Sequence, residues 1–275
     1  MALSKEQIAR YSRQLILPEI GPAGQARLMN ASVLIIGAGG LGSPVSLYLA
    51  AAGVGTISIV DDESVALSNL HRQILYRSEE VGWPKSVTAQ ARLRRLNPEV
   101  AVRAIHGRFT AENAEYLVSS ADLVIDGSDN FPTRYLVNDA CVLGKKPLVH
   151  GGAIGQHGQV LTVLPRHSAC FRCVFPEPPA SGEIPNCQEA GVMGPVVGVI
   201  GTLMAHEALK CLLGLGGGLN DRLLVFDGER TAFRNVAVQR AADCAACGDA
   251  PAIHAVTIGE DSCSHKEDLP WPASK

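Results

Sequence analysis

The sequence has no excess of either charge: 24 Lys and Arg stand against 27 Asp and Glu, a net charge of −3. That excludes the basic face a nucleic-acid partner demands, and no block of like charges marks an interaction tail. No internal repeat is present, which excludes solenoids and propellers. Nor does the chain open like a signal peptide, because Lys5, Glu6, Arg10, Arg13 and Glu19 fall where a leader needs an apolar core. The most apolar stretch, Val192 to Ala205, is interrupted by Gly194 and Pro195 and stops at His206. It falls short of the roughly 20 residues that cross a bilayer. These absences predict a cytoplasmic chain with no nucleic acid and no membrane as partner. The 275 residues, 47% apolar and 19% charged, suffice for one α/β domain with a full core, with or without a small appendage.

What is present is organised. Ser4 and Gln7 read as a capping box opening a helix with Ile8, Tyr11, Leu15 and Ile16 on its apolar face, ending near Pro18. A short helix over Gly24–Asn30 follows. Val33–Ile36 reads as a buried strand, Gly37–Gly42 as a glycine turn, Gly40–Ala52 as a helix and Thr56–Val60 as a second strand. Further helices are predicted from Pro84 to Leu96, Ala111 to Val118 and Phe131 to Leu143. Strands are predicted over Val100–Ile105, Leu123–Asp126 and Pro147–His150. Strands alternating with helices predict a Rossmann-like, doubly wound, mostly parallel sheet.

After Gly151 the pattern changes. Gly158–Leu164 alternates as a strand, Pro165–Gln188 reads as loop, and Pro195–Leu213 as a long apolar helix. Arg222–Phe226 and Thr231–Val236 form a hairpin across Asp227-Gly228, so antiparallel strands extend the sheet. We expect one domain over 1–248: N-terminal helices 4–30, a nucleotide-binding core 31–150, and a partner-binding, zinc-holding part 151–248. Residues 249–275 are expected to form a disordered tail.

The glycine turn between strand and helix lets backbone N–H groups meet phosphate where the helix dipole favours negative charge. Asp61, at the end of the next strand, suits a ribose. These features establish a nucleotide and no more; a tight structural turn beside a surface acid is the bland alternative. Arg72 and Lys85 follow within one crossover, and Asp129 stands at the end of a later strand. Arg suits bidentate phosphate contact, Lys is a compact charge, and a carboxylate facing a triphosphate can hold Mg²⁺. Read alone, the two cations fit a solvated loop equally well. In the run Asp126-Gly127-Ser128-Asp129-Asn130, Asp126 or Ser128 is expected to cap the following helix while Asp129 binds metal.

Cysteine is plentiful: eight in all, four of them in the pairs Cys170/Cys173 and Cys244/Cys247. In a reducing compartment two Cys-x-x-Cys pairs on irregular segments predict a structural zinc knuckle, against the alternative of unrelated reduced thiols. Cys141 and Cys211 lie in apolar helical patterns and read as packing residues. Cys187 stands on a loop, where an exposed thiol of lowered pKa can act as a nucleophile.

Several runs, in order from about residue 4 to 248, resemble the ThiF/MoeB/HesA family of ubiquitin-activating-type adenylyltransferases. They are Arg10-Tyr11-Ser12-Arg13-Gln14, Gly37–Gly42, Leu67–Gln73, Gly82-Trp83-Pro84-Lys85, Asp129-Asn130, Cys170–Cys173, Gly191–Gly198 and Cys244–Cys247. Arg134 and the stretch Tyr135–Cys141 resemble the molybdopterin-synthase-activating branch. The resemblance implies ATP with Mg²⁺, and adenylation of the C-terminal glycine of a small β-grasp sulfur carrier with release of pyrophosphate. It implies that Gly40, Asp61, Asn69, Arg72, Gln73, Lys85, Asp129 and Asn130 line the ATP site. It also implies a homodimer in which Arg13 reaches the partner subunit's site, structural Zn²⁺ on the four paired cysteines, and a covalent role for Cys187 in some members. His71 stands where close relatives often have Gln, and Gly127 where many have Cys; neither touches an assigned role. No rhodanese-like segment is found, so the sulfur donor is expected to be a separate sulfurtransferase. The competing readings are a relative that activates an RNA base or a peptide C-terminus, a non-catalytic scaffold, and an NAD-dependent dehydrogenase. The last leaves Arg72, Lys85 and Asp129 unexplained.

Overall fold

Short strands rich in Val, Ile and Leu build the middle of the molecule. In the computed structural model, which describes residues 3–179 and 190–257, β1 (Ser32–Ile36), β2 (Thr56–Val60), β3 (Ala101–Ile105) and β4 (Leu123–Asp126) pair in parallel. β5 (Leu148–Ile154) joins β4 in parallel; β6 (His157–Val163), β7 (Arg222–Asp227) and β8 (Ala232–Ala237) continue antiparallel. One eight-stranded sheet results, ordered β3-β2-β1-β4-β5-β6-β7-β8.

The two-residue period of a strand divides each apolar run between two cores. Val33 and Ile35 of β1 face α3 (Gly42–Ala52), α4 (Lys85–Leu96) and α8 (Gly194–Leu213). Leu34 and Ile36 face α5 (Ala111–Ser119) and α6 (Phe131–Gly144). All four are at most 3% exposed, so each contributes about 1.5–3 kcal/mol of burial.

α1 (Lys5–Leu15) opens on the expected capping box: Gln7 N donates to Ser4 Oγ at 3.1 Å and Ser4 N to Gln7 Oε1 at 2.9 Å. Its expected apolar face is only partly used. Tyr11 is buried against Gly53, and its hydroxyl accepts from Asn97 Nδ2 at 2.8 Å, but Ile8 and Ile16 are 50% and 70% exposed. α2 (Gly21–Asn30) starts earlier than expected because Pro22 sits in its first turn, a position proline favours.

Three other boundaries differ from expectation. α3 begins at Gly42, leaving Gly40 in the turn. β5 runs through Gly151 and Gly152, which read as a break in sequence. A Cβ on Gly151 would stand 2.2 Å from Met204 Sδ, so the glycine admits α8 against the strand. Gly194 and Pro195, which interrupt the apolar stretch Val192–Ala205 in sequence, are the first turn of α8, so the helix expected from Pro195 begins one residue earlier. α8 is thereby 20 residues long, and by length and composition it is apolar enough to cross a membrane. Ile200, Met204 and Ala208 on its buried side belong to the core cluster over the sheet. Residues 249–257, expected as the start of the tail, fold back instead. Asp249 N donates to Ala242 O and Ile253 N to Ala245 O, while Ile253 and Val256 pack on the second core. Cys187 and residues 258–275 lie outside the described residues.

Candidate nucleotide site and cysteine cluster

Strand order reverses between β1 and β4, and ligands in open α/β sheets bind outside the carboxyl ends of strands at such a point. Two glycine segments meet there. Gly37 has φ +87°, and a Cβ on it would lie 3.0 Å from Gly127 O. On Gly42, at the start of α3, a Cβ would lie 2.0 Å from Gly37 O. Only a bare backbone turns this tightly, and it leaves the N-terminus of α3 open to an anion.

Asp61, just beyond β2, ties itself to this turn: Oδ2 accepts from Ala38 N at 2.8 Å and Oδ1 from Glu63 N at 2.9 Å. Burial raises its carboxyl above the ordinary value, opposed by the Ala38 N–H and by the charge of Lys85. Lys85, at the first turn of α4, is 2% exposed and its ammonium is paired with Glu63. Lys85 thus sets a buried cation, countered by the exposed Glu63, close to Asp61 and the turn. Arg72 lies on the other flank. Its Nη1 donates to Ser68 O at 3.1 Å and to Nε2 of His71 at 2.9 Å. Its stem passes 3.6–3.7 Å from where a Gly40 Cβ would stand, so Gly40 and Arg72 share one wall.

Asn69 turns inward on its own loop, Oδ1 accepting from Ala66 N at 3.2 Å. Gln73 is buried beside Gly39, and its Oε1 has no partner among the described residues. Asp129 is exposed in the loop between β4 and α6. Asn130 is the cap of α6, accepting from Thr133 N at 2.9 Å. That corrects the expectation that Asp126 or Ser128 would cap; Asp126 binds Ser128 and His150 instead. Sequence reasoning also missed Tyr76, whose hydroxyl donates to Ala38 O at 2.7 Å beneath the turn, and Glu63, the partner of Lys85. Neither carries a spacing signal.

Arg13 is not brought to this place within one chain. It is exposed in the last turn of α1, which packs through Tyr11 on Gly53 and Asn97, at the far ends of α3 and α4 from the glycine turn. The 11 residues of α3 alone span about 16 Å.

The paired cysteines, 74 residues apart across each sulfur contact, converge on the opposite face of the sheet. α7 (Phe171–Val174) makes one knuckle and residues 241–248 the other. Cys170 and Cys244 sulfurs are 3.6 Å apart, Cys173 and Cys247 3.3 Å, Cys170 and Cys173 3.8 Å, and all four lie within 4.8 Å of one another. A tetrahedral zinc with Zn–S near 2.3 Å sets sulfur–sulfur edges of about 3.8 Å. Hydrogen bonds with Cys173 and Cys247, then burial, push the Cys170 thiol well above its ordinary value. The donor set fits one soft divalent metal. α6 braces the knuckle: Asn138 donates to Cys170 Sγ and accepts from Phe171 N, while Asp139 takes both arms of Arg172 at 2.7 and 2.8 Å. Cys141 is fully buried and Cys211 half-buried, as packing residues should be.

A model of the ThiF family matches residues 11–246. A sulfur carrier protein adenylyltransferase of Thermus thermophilus is 50% identical over 268 residues, covering 96% of this chain and 99% of that protein. The adenylyltransferase and sulfurtransferase MOCS3 of Culex quinquefasciatus is 48% identical over 265 residues; there the chain spans 60% of the relative's length. The crystal structure of E. coli MccB superposes with a TM-score of 0.79 at 23% identity, over 96% of this chain and 76% of that one, a likeness of fold.

Proposed function

The chain belongs to the ThiF family, and from that premise we propose that it is an ATP-dependent nucleotidyltransferase acting on a ubiquitin-like sulfur carrier protein. It adenylates the carrier's C-terminal glycine carboxylate and releases pyrophosphate. The observation that carries this reading is the pairing of an Asp61-anchored glycine turn with two cations, buried Lys85 and Arg72, on its flanks. A dinucleotide needs the turn and the acid; the cations are what a transferring triphosphate adds.

The chemistry asks for position and charge. A carboxylate oxygen of the carrier attacks the α-phosphorus in line, the new C–O–P bond forms, and the bond to the bridging oxygen breaks as pyrophosphate leaves. No general base is required, because the attacking carboxylate is already ionised at neutral pH. Gly40 and the Gly37–Gly42 N–H groups cradle the phosphates, Asp61 takes the ribose, and Asn69, Gln73 and Asn130 line the remaining wall. Arg72 and Lys85 face the charge that builds on the leaving group. Mg²⁺, a hard ion that uses one or two carboxylates with phosphate oxygens, suits Asp129 and supplies further charge neutralisation. Arg13 enters from the second subunit of a homodimer. Zn²⁺ on Cys170, Cys173, Cys244 and Cys247 is structural. Cys187 attacks the acyl-adenylate to give a thioester with release of AMP, and a separate sulfurtransferase supplies sulfur. Thiolate ligands of this kind call for a reducing, cytoplasmic setting.

ATP–pyrophosphate exchange with candidate carriers ending in Gly-Gly tests the reading. Exchange should depend on the carrier, and Lys85→Ala should lower it by about 10²-fold or more at unchanged fold. Exchange without any carrier, or only with a small molecule, overturns it. Wild-type adenylation and sulfur transfer in Cys187→Ser would remove the covalent step alone.

A further inference from the structure

Ser128 is where β4 hands the chain to the loop carrying Asp129, and what fixes it lies beneath the loop. Asp126, the last residue of β4, is fully buried. Its Oδ1 accepts from Ser128 N at 3.0 Å and from Ser128 Oγ at 2.6 Å. Its Oδ2 faces Nδ1 of His150 at 2.8 Å, on the neighbouring strand and in register with it. From the other side Arg134, itself 9% exposed, donates from Nη2 to Ser128 O at 3.4 Å and lies 5.1 Å over the Phe131 ring.

His150 is 1% exposed, and its Nε2 has no hydrogen-bond partner among the described residues. Among the described residues its one hydrogen bond is with Asp126. Burial pulls the imidazole below its usual range, opposed by the hydrogen bond and charge of Asp126. Burial alone would raise Asp126, but the hydrogen bonds from His150 and Ser128 hold it below the usual carboxylate range. An apolar side chain at 150 would pack on Phe171, whose ring lies 4.6 Å away, without an orphaned nitrogen. A polar residue kept there at that cost acts on what Asp126 holds, and Asp126 holds Ser128.

We propose that Asp126, His150 and Ser128, closed from above by Arg134, are positioning residues that fix the Asp129 carboxylate toward the nucleotide phosphates. The inference rests on the reading that Asp129 takes the magnesium of a bound triphosphate. Supporting side chains of this kind set the geometry of a metal ligand they never touch, and their loss typically costs 10–100-fold.

The test is the Mg²⁺ midpoint of carrier-dependent ATP–pyrophosphate exchange, read with the KM for carrier and a thermal melt. Asp129→Asn sets the scale. Ser128→Ala and His150→Leu should each raise the Mg²⁺ midpoint about tenfold and leave the carrier KM within about twofold. Ser128→Thr, which keeps the hydroxyl, and His150→Asn, which keeps a donor toward Asp126, should recover most of the loss. A midpoint unmoved by Asp129→Asn removes the magnesium reading and this inference with it. A midpoint raised by Asp129→Asn but not by Ser128→Ala removes the inference alone. Equal losses in magnesium and carrier dependence would mean general loop damage and also overturn it. Should His150→Leu melt early, Ser128→Ala decides, since that small change leaves the strand pairing intact.

Discussion

The parallel half of the sheet and its antiparallel extension are held by different forces. β1, β2 and β4 sit between helices on both faces, with Val33–Ile36 and Leu123–Ile125 almost wholly excluded from water. β8 ends the other side with five of its six residues exposed. What the extension lacks in burial it recovers in the cysteine cluster, which joins α7 to the residues following β8. The parallel half is stabilised by its own core, while the edge strand β8 has little burial of its own, and a metal on the four cysteines is what we propose secures it.

Removing the cross-link should therefore produce the largest effect. Cys244→Ser, or a strong chelator, should lower the melting temperature by about 10 °C or more, taking several kcal/mol at roughly 2–4 °C per kcal/mol for a chain of this size. Hydrogen exchange should place the loss at β7, β8 and residues 241–257, with β1–β4 protected. Uniform loss of protection across the sheet would erase the distinction between the halves.

The converse change belongs to the parallel half. Gly42→Ala sets a Cβ 2.0 Å from Gly37 O, a backbone atom with nowhere to go. We expect a loss of about 2–4 kcal/mol in denaturant unfolding, with nucleotide binding abolished. Gly107→Ala, which meets nothing within 4 Å, should stay within about 0.5 kcal/mol. The chelator's effect should be unchanged in Gly42→Ala, since the sites share no partner. Nucleotide binding retained in Gly42→Ala would show that the turn is not the cradle.

The same division explains what was legible in the sequence. Every strand of the parallel half, and most helices between them, follow from local pattern: apolar runs, the glycine turn, Asn97-Pro98 ending α4. The hairpin and the cysteine pairs were legible as elements. The errors arose where one element leans on another far along the chain. Gly151 reads as a break until Met204 is seen against it. In the candidate site, the glycine turn and Asp61 follow from local motif and spacing, and Arg72 and Lys85 are marked only through the family resemblance, but Glu63, Tyr76 and the Asp126–His150 pair are marked by neither. Those contacts join segments far apart in the chain, and no local period announces them.

The smallest effect gives the most discriminating comparison. Phe233 on β8 stacks on Phe226 of β7, ring centroids 4.8 Å apart, yet remains 51% exposed. Phe233→Ala should cost about 1 kcal/mol in the metal-loaded protein, the usual worth of a cross-strand aromatic pair. If the cluster is what keeps β8 on the sheet, the same substitution in Cys244→Ser should cost almost nothing, because the hairpin is already released before the rest unfolds. A double-mutant cycle then shows coupling of nearly the whole 1 kcal/mol, although Phe233 belongs to neither cysteine pair. Additive losses would mean that β8 is held by its own strand pairing, and that the two halves of the sheet differ in burial but not in what secures them.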